Sequence, residues 1–255
     1  MLSAAITAAQ RAGALIRGRT PSGIRHKGAI DLVTEVDLMA EELIRETLGK
    51  LTPSIPILAE EQGGPRDAPI KWIVDPLDGT TNFVHGFPFY CVSIALEVDG
   101  VITVGVIYDP VRDLTYSAEI GKGAFVGDHR LMVSKVPELN LALVASGFAY
   151  DRRERADFYL AHVKAFLKKA QGFRRCGSAA MDLVMVARGE LDGYWEFGLN
   201  SWDIAAGALI VSEAGGSVSE TDGSPLIIHK PSILASNGLV HQEMIDTIAG
   251  FFDDD

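Results

Sequence analysis

The segment from Tyr90 to Tyr108 constrains the fold of this chain more than any other part of its sequence. Large apolar residues alternate with smaller or polar ones from Tyr90 to Val98, and a second apolar stretch runs from Val101 to Tyr108. Only Asp99-Gly100 separates the two stretches, and this pair favours the tight turn of a β-hairpin. The sequence therefore predicts two long antiparallel strands that pair with each other in a sheet.

Helical and strand patterns around this hairpin indicate a layered α/β fold. Amphipathic spacing predicts helices at 2–16 and 37–50 before the hairpin, and at 157–169, 179–188 and 203–214 after it. Short strand patterns lie between these helices, and we find no internal repeat and no low-complexity linker. Alternation of this kind is typical of helices packed in layers on sheets.

The length of the chain, 255 residues, suits one large α/β domain. We predict a single domain over residues 1–255 whose two halves differ in secondary structure. The first half, to about residue 140, is expected to hold an antiparallel sheet, and the second half, from about residue 141, a mixed α/β arrangement.

Charge and composition exclude several classes of protein. Lysine and arginine total 23 against 34 acidic residues, a formal net charge of −11, and no dense basic stripe offers a nucleic-acid groove. No apolar run reaches the ~18 residues of a membrane-spanning helix, and the N-terminus lacks the pattern of a signal peptide. Cys91 and Cys176 form no metal or redox pattern, which favours a reduced, cytoplasmic protein. The last acids, Asp253 to Asp255, are interpreted as a solvated tail.

The stretch WIVDPLDGTTNF begins as a buried strand that stops at Asp75, and a second carboxylate, Asp78, follows. Asp-Pro followed by Asp-Gly is good turn chemistry, so a simple turn is the plainer interpretation. Alternatively, both carboxylates converge on Mg²⁺, with the Leu77 carbonyl as a further hard ligand because Pro76 and the strand end leave it without a ladder partner. Free backbone N–H groups after Gly79 would then bind a phosphate beside the metal.

Three further acids lie where a predicted helix or strand begins or ends. Glu60 follows a short strand, Asp37 opens the second helix, and Asp203 opens the helix at 203–214. An exposed strand end explains the first, and helix N-caps explain the other two, so each has an ordinary structural interpretation. All three lie at the ends of helices or strands, where loops commonly form binding and catalytic sites. This shared position favours a common site with Asp75 and Asp78.

Together these segments resemble the inositol monophosphatase family of magnesium-dependent, lithium-sensitive phosphomonoesterases. WIVDPLDGTTNFVHGFPFYCVSIAL and SWDIAAGALIVSEAGG carry its most specific motifs, D-P-x-D-G-T-T and W-D-x-A-A-G. IDLVTEVD, ILAEE and RRCGSAAMDLVMVARGELDGYWE match intervening segments in the same order, so the resemblance extends from Arg25 to Asn237. It implies an αβαβα five-layered sandwich of the inositol monophosphatase and fructose-1,6-bisphosphatase type, and usually a homodimer.

The resemblance also implies roles for individual residues around two to three Mg²⁺ ions. The implied metal ligands are Glu60, Asp75, Leu77 through its carbonyl, Asp78 and Asp203. Asp37 and Thr80 match the pair that orients and deprotonates the attacking water. The implied substrate contacts are Asp78, Gly79, Thr80, Gly177, Ser178, Ala179, Glu196 and Asp203.

The activity implied is magnesium-dependent hydrolysis of a phosphate monoester by water, without a covalent intermediate. Myo-inositol 1-phosphate is the expected substrate, but relatives hydrolyse fructose 1,6-bisphosphate, histidinol phosphate or adenosine 3′,5′-bisphosphate, so these alternatives stay open. Arg174 and Arg175 are candidates either for binding a second phosphate or for ordinary surface charge. Lys27 lies in a stretch that aligns with the family only with a gap.

Two other classes of function are weighed against this one. Haloacid-dehalogenase-like phosphatases place D-x-D-G-T after a strand and form an aspartyl phosphate, but this chain has D-x-x-D-G-T, with one residue too many between its two aspartates. Some bacterial relatives assist transcription complexes, so an interaction module with secondary phosphatase activity is the other alternative. The expected partners are a small phosphate monoester and a second copy of the chain, with neither a nucleic-acid substrate nor a membrane.

Overall fold

The computed structural model describes residues 1–28 and 30–250, so Ala29 and the predicted acidic tail lie outside the described residues. The helices are α1 (Leu2–Arg17), α2 (Glu35–Leu51), α3 (Thr80–His85), α4 (Ala156–Lys169), α5 (Ala179–Ala187), α6 (Ser201–Glu213) and α7 (His241–Ala249). The strands are β1 (Arg25–His26), β2 (Leu32–Val33), β3 (Ile57–Ala59), β4 (Ile70–Asp78), β5 (Cys91–Val98), β6 (Val101–Asp109), β7 (Leu114–Glu119), β8 (Gly123–Val126), β9 (His129–Arg130), β10 (Leu143–Ser146), β11 (Gly172–Arg174), β12 (Gly193–Phe197), β13 (Ser217–Ser219) and β14 (Ser232–Ser236). Within the described ranges, no helix combines the length and apolarity that crossing a bilayer demands.

The predicted hairpin lies in a seven-stranded sheet with the order β3-β4-β5-β6-β7-β8-β9. β3 and β4 run parallel, and the other neighbouring pairs in this sheet are antiparallel. Asp99 and Gly100 both adopt positive φ, 50° and 81°, which is the left-handed backbone that a two-residue hairpin turn requires. The hairpin prediction is therefore confirmed.

Both faces of β5 are buried, although its sequence alternates between large and small residues. Val92, Ile94 and Leu96 belong to the core cluster of α1 and α2, whereas Cys91 and Ala95 belong to the cluster of α5 and α6. Small side chains on this second face allow α6 to pack closely on β5 and β6. The alternation thus reflects two different packing partners rather than one buried and one solvated face.

A second sheet of five strands, with the order β11-β10-β12-β14-β13, completes the fold. β10 runs parallel to β11 and β12, and β14 is antiparallel to β12 and β13. α5 and α6 lie between the two sheets, α1 and α2 cover the outer face of the first sheet, and α4 and α7 cover that of the second. The layers are therefore α, β, α, β and α, which confirms the predicted sandwich.

The second helix begins two residues earlier than the sequence predicts, and this changes the local role of Asp37. Thr34 is the N-cap, since its hydroxyl accepts from the backbone N–H of Val36 at 3.1 Å. Asp37 is the third helical residue and closes a capping box by accepting from the backbone N–H of Thr34. The interpretation of Asp37 as the N-cap residue is therefore wrong.

Gly105 in β6 allows α6 to approach the first sheet, because a Cβ at this position would lie 2.7 Å from the carbonyl oxygen of Ala206. Backbone atoms cannot move aside as the end of a side chain can, so Gly105→Ala should lower the free energy of unfolding by about 1–3 kcal/mol. Gly49→Ala is the control: it adds a Cβ with nothing within 4 Å in α2, and should raise that free energy by about 0.4–1 kcal/mol. Urea unfolding measures both, and shifts of the same sign would contradict this packing.

Candidate active site

A β-bulge in β4 brings two of the predicted metal ligands to the same side of the strand. The ladder pairs Asp75 with Ser93 and Asp78 with Cys91, so three steps on β4 match two steps on β5. Pro76, inside the bulge, has no N–H to donate to the ladder. Residues three apart point to opposite faces of a regular strand, but the extra residue returns Asp78 to the face of Asp75. The sequence suggests that this strand stops at Asp75. In the structure it continues through the bulge to Asp78.

Asp203 reaches this pair from the first turn of α6. Asn200 is the N-cap of the helix, and Asp203 is the third helical residue, whose Oδ2 accepts from the N–H of Asn200 at 2.6 Å. One carboxylate oxygen from each of Asp75, Asp78 and Asp203 lies within 4.8 Å of the others. The interpretation of Asp203 as the N-cap is therefore wrong, since Asn200 has that position. The capping box holds the Asp203 carboxylate at the start of α6, close to Asp75 and Asp78.

The loop before α5 holds Asp78 in position. Asp78 Oδ2 accepts hydrogen bonds from the Ser178 hydroxyl at 2.6 Å and from the backbone N–H of Ala180 at 2.7 Å. Ser178 is also the N-cap of α5, and Gly177 before it has a φ of 92°. Gly177, Ser178 and Ala179, the predicted substrate contacts, line the cavity that contains the three aspartates. Ser178 has a further task that the sequence did not show, since its hydroxyl orients a predicted metal ligand.

Asp37 and Thr80 are joined by a hydrogen bond. The Thr80 hydroxyl lies 2.8 Å from Asp37 Oδ1 and 3.1 Å from the carbonyl oxygen of Leu77. Asp37 Oδ2 accepts from the N–H of Thr34 at 2.9 Å and from the Thr34 hydroxyl at 2.5 Å. Burial raises the pKa of Asp37, and hydrogen bonds from Thr34 and Thr80 oppose this rise. Thr80 lines the cavity. The carboxylate of Asp37 is buried and does not line the cavity, but it is linked to it through the hydrogen bond from Thr80.

Glu60 lies at the same edge of the sheet but outside the cluster of three aspartates. It follows β3, whose parallel pairing with β4 places the two carboxyl ends side by side. Its Oε1 accepts from Lys27 Nζ at 2.8 Å, and the same ammonium lies 2.6 Å from Oε1 of Glu61. Burial raises the pKa of Glu60, and the charge of Lys27 opposes the rise. Sequence reasoning missed this pair because 33 residues separate its members and no local spacing signals it.

The three aspartates carry more negative charge than their surroundings neutralise. Burial, followed by repulsion from Glu60 and the other two aspartates, raises the pKa of Asp75 well above its ordinary value. Burial also raises the pKa of Asp78, to about 6, and that of Asp203 well above its ordinary range. Among the described residues, no ion pair includes any of the three. Closely spaced carboxylate oxygens that repel one another and pair with no ammonium or guanidinium among the described residues suit a hard divalent ion such as Mg²⁺.

Side chains from the second sheet and its loops line the same cavity. Glu196 in β12 is 8% exposed and accepts from the Tyr194 hydroxyl, and burial raises its pKa to about 7. Arg152 and Arg175 also line the cavity. Arg174 is exposed and is not among the lining residues; its Nη1 donates to the preceding carbonyl at 3.0 Å. The sequence singled out Arg175 but not Arg152, which stands in no recognisable motif.

The cavity therefore gathers most of the predicted site from segments far apart in the chain. The predicted residues that line it are Glu60, Asp75, Leu77, Asp78, Gly79, Thr80, Gly177, Ser178, Ala179, Glu196 and Asp203. Cation-binding oxygens, a hydroxyl–carboxylate pair and the first backbone N–H groups of α3 are the parts that phosphoryl transfer to water needs.

Comparison with known proteins points to one family along the whole chain. The family model described as the inositol monophosphatase family matches residues 1–250. An inositol-1-monophosphatase from Synechocystis is 48% identical over 235 residues, 89% of this chain and 80% of the relative. Nus factor SuhB from Escherichia coli is 40% identical over 251 residues, 96% of this chain and 94% of the relative. The solved structure of inositol monophosphatase from Anabaena (Nostoc) is similar with a TM-score of 0.90 at 41% identity, covering 98% of this chain and 95% of its own.

Proposed function

The chain belongs to the inositol monophosphatase family, and we propose that it hydrolyses myo-inositol 1-phosphate to myo-inositol and phosphate in a magnesium-dependent reaction. The observation that carries this proposal is the convergence of Asp75, Asp78 and Asp203 within 4.8 Å in the cavity that Thr80 lines. Mg²⁺, when bound, would draw electrons from the phosphoryl group and lower the pKa of water.

The residues that would hold the cations follow from the geometry of the strand end. Asp75, Asp78 and Asp203 supply carboxylate oxygens that no ammonium or guanidinium of the described chain takes up. The carbonyl of Leu77 lies in the bulge, where the ladder skips it, and Glu60 adds a further carboxylate in the same cavity. We propose that this set accommodates two to three Mg²⁺ ions.

Thr80 and Asp37 would aim the attacking water and take its proton. The Thr80 hydroxyl donates to Asp37 Oδ1, and its oxygen can still accept a hydrogen bond from a water O–H in the cavity that Thr80 lines. The hydrogen bonds from Thr34 hold Asp37 in a single orientation. Since water is the nucleophile, the proposal needs no aspartyl phosphate, and family membership sets the haloacid-dehalogenase alternative aside.

The rest of the cavity would bind the substrate through its phosphate and its hydroxyl groups. Gly79 and Thr80 present backbone N–H groups at the start of α3, where a phosphate oxygen can accept them. Glu196 would accept hydrogen bonds from the alcohol part of the substrate, and the Tyr194 hydroxyl holds its carboxylate in place. A neutral, hydroxyl-rich alcohol fits this polar wall.

Phosphate release from myo-inositol 1-phosphate tests the proposal directly. Activity should require Mg²⁺, fall by about 10³-fold or more in excess chelator, and return when Mg²⁺ is restored. Mg²⁺ should also stabilise the fold, by about 2.7 kcal/mol at one hundred times its Kd. Full activity in chelator, or a trapped phospho-aspartate after rapid quenching, would refute the proposed mechanism.

The name of the Escherichia coli relative, Nus factor SuhB, supports a second candidate role in a transcription complex. This role needs the surface of the protein and not its metal site. We propose to test it with Asp78→Asn in a strain of the source organism that lacks the gene. Full rescue of growth by this variant would favour the binding role, and failure to rescue would favour the enzyme.

The proposal also places the enzyme in the cytoplasm as a homodimer. Cys91 and Cys176 are both free thiols, as a reducing compartment keeps them. The homodimer and the lithium sensitivity stay predictions from family membership. Size-exclusion chromatography with light scattering and inhibition assays with Li⁺ would test them.

A further inference from the structure

Three charged residues of α2, Asp37, Glu41 and Arg45, are spaced four apart and so lie in a row along one side of the helix. We propose that Glu41 and Arg45 are positioning residues that hold Glu60 in the orientation in which it binds Mg²⁺. They act on residues 60–63, termed the Glu60 turn, which directly follow β3. This inference rests on the proposed function, because it concerns a ligand of the same metal site.

Glu41 is the member of this row that contacts the backbone N–H groups of the Glu60 turn. Its side chain is fully buried. Its Oε2 accepts from the N–H of Glu61 at 2.8 Å, and its Oε1 accepts from the N–H of Gln62 at 3.1 Å. Burying a carboxylate costs stability, and a well-packed apolar side chain often serves a fold as well or better. The backbone partners of Glu41 directly follow Glu60, so its carboxylate fixes the turn that carries a proposed metal ligand.

Arg45 binds both Glu41 and the end of the Glu60 turn. Its Nε donates to Glu41 Oε1 at 2.8 Å, and its Nη2 donates to the carbonyl oxygen of Gly63 at 2.7 Å. Gly63 has a φ of 68° and exchanges two backbone hydrogen bonds with Ala59, at 3.0 and 3.2 Å. The planar guanidinium thus joins the buried carboxylate to the point where the turn closes on β3.

Each backbone N–H of the Glu60 turn has a partner, and α2 supplies the acceptor for two of them. The N–H of Glu60 donates to the carbonyl oxygen of Val74 at 3.2 Å, and the N–H of Gly63 donates to Ala59. The other two N–H groups donate to Glu41. Loss of this carboxylate would leave two adjacent N–H groups without their acceptor, so the backbone that aims the Glu60 side chain would loosen. A metal ligand must be held to within about 0.5 Å of its productive position.

The same row of α2 places Glu60 relative to the pair that aims the attacking water. Asp37 lies about one helical turn before Glu41, and its Oδ1 accepts from the Thr80 hydroxyl at 2.8 Å. Because a helix positions side chains more precisely than a loop does, α2 fixes the Glu60 turn and the proposed proton acceptor in one frame. Glu41 does not line the cavity, so it acts on the reaction through Glu60 and touches neither the substrate nor the cation.

Calorimetric titration with Mg²⁺, in the absence of substrate, tests the inference. Glu41→Gln keeps the size of the side chain, but its amide nitrogen is a donor that faces a backbone N–H. The Kd for Mg²⁺ should rise by about 10- to 100-fold, as is usual when the partner of a metal ligand is lost. Arg45→Lys cannot bind Glu41 and the Gly63 carbonyl through one rigid plane, so it should raise the Kd by a smaller factor. An unchanged Kd in both variants would overturn the inference.

Kinetics show whether Glu41→Gln acts through the metal. The kcat of this variant should fall at limiting Mg²⁺ and return to within about 3-fold of the wild type at saturating Mg²⁺. Its KM for myo-inositol 1-phosphate should then change by less than about 2-fold, because the segments proposed to contact the substrate lie on other elements. A loss of kcat that excess Mg²⁺ does not restore would contradict a positioning role.

Two variants of the same helix supply the controls. Glu46→Gln breaks another ion pair at the same spacing, with Lys50, but at an exposed position away from the Glu60 turn. Thr52→Val removes the acceptor of the Trp72 indole N–H, which lies 3.0 Å from the Thr52 hydroxyl, and should lower the midpoint of urea unfolding. Both variants should keep the Kd for Mg²⁺ of the wild type. Equal weakening in Thr52→Val and Glu41→Gln would reduce Glu41 to a general structural role and refute the inference.

Metal binding separates this inference from the proposed function. If the wild type binds Mg²⁺ but hydrolyses no inositol phosphate, the proposed function fails, and the Kd values of Glu41→Gln and Glu46→Gln still decide the inference. If the wild type is active and all variants share its Kd, the inference fails and the proposed function stands. A wild type that binds no Mg²⁺ would refute both.

Discussion

Asp78→Asn should lower kcat by about 10³-fold or more and yet stabilise the metal-free protein. The amide oxygen of Asn can still accept from the Ser178 hydroxyl and the N–H of Ala180, which now bind Asp78 Oδ2 at 2.6 and 2.7 Å. The amide nitrogen, by contrast, is a donor and cannot ligate a hard cation. The local structure should therefore persist while metal binding is lost.

The sign of the stability change follows from the pKa of Asp78, which is about 6 in the folded protein against an ordinary 3.8. A raised carboxyl pKa means that the folded state binds the proton more tightly than the unfolded state does. The free energy of unfolding of the metal-free wild type should thus fall as the pH rises from about 4 to about 6, and stay low at neutral pH. Asp78→Asn should weaken this pH dependence and raise the midpoint of thermal unfolding in chelator at about pH 7.5.

Asp109→Asn is the matched control for this experiment. Asp109 also lies at a strand end and is fully buried, but it accepts from the N–H of Val111 at 2.8 Å and pairs with Arg112 at 2.8 Å. Its substitution should lower stability and leave phosphatase activity unchanged, the reverse of the result at Asp78. An active Asp78→Asn, or one that unfolds more easily than the wild type in chelator, would contradict the assignment of Asp78.

Thr80→Val should lower kcat by about 10²- to 10⁴-fold with little change in KM, as expected for the loss of a group that moves a proton in the transition state. Valine has nearly the shape of threonine, so the cavity should keep its form. Because the hydrogen bond from Thr80 opposes the raised pKa of Asp37, its removal should also shift the acidic limb of the pH–rate profile to higher pH. Steady-state kinetics between about pH 5 and pH 9 would measure both effects.

Two further variants make this test specific to the Thr80 hydroxyl. Thr80→Ser keeps the hydroxyl and should recover most of the activity. Thr81→Val changes an exposed side chain of the same cavity but leaves the Thr80 hydroxyl and the backbone N–H groups of Gly79 and Thr80 in place. Equal losses in Thr80→Val and Thr81→Val, or no recovery in Thr80→Ser, would remove Thr80 from the proton path.

Much of the fold was open to prediction because its signals are local. The Asp99-Gly100 turn and the alternation beside it predict the hairpin from contacts between near neighbours in the chain. The acids of the site were also recognisable, since the D-P-x-D-G-T-T and W-D-x-A-A-G motifs place them at fixed positions. These motifs did not show that the side chains of Asp75 and Asp78 lie on the same face of β4. That depends on a bulge, which exists only once β4 pairs with β5.

By itself, the sequence determined five of the helices (α1, α2, α4, α5 and α6), the central hairpin, the family and the identity of the acids, because these depend on short-range patterns and motif spacing; it did not predict α7. Only the tertiary structure decided that both faces of β5 are buried, that Lys27 pairs with Glu60, and that Arg152 joins Arg175 in one cavity. The physical reason is that each of these facts depends on which layers pack together. Side chains 33 residues apart, like Lys27 and Glu60, meet through the packing of the whole chain and leave no trace in local spacing.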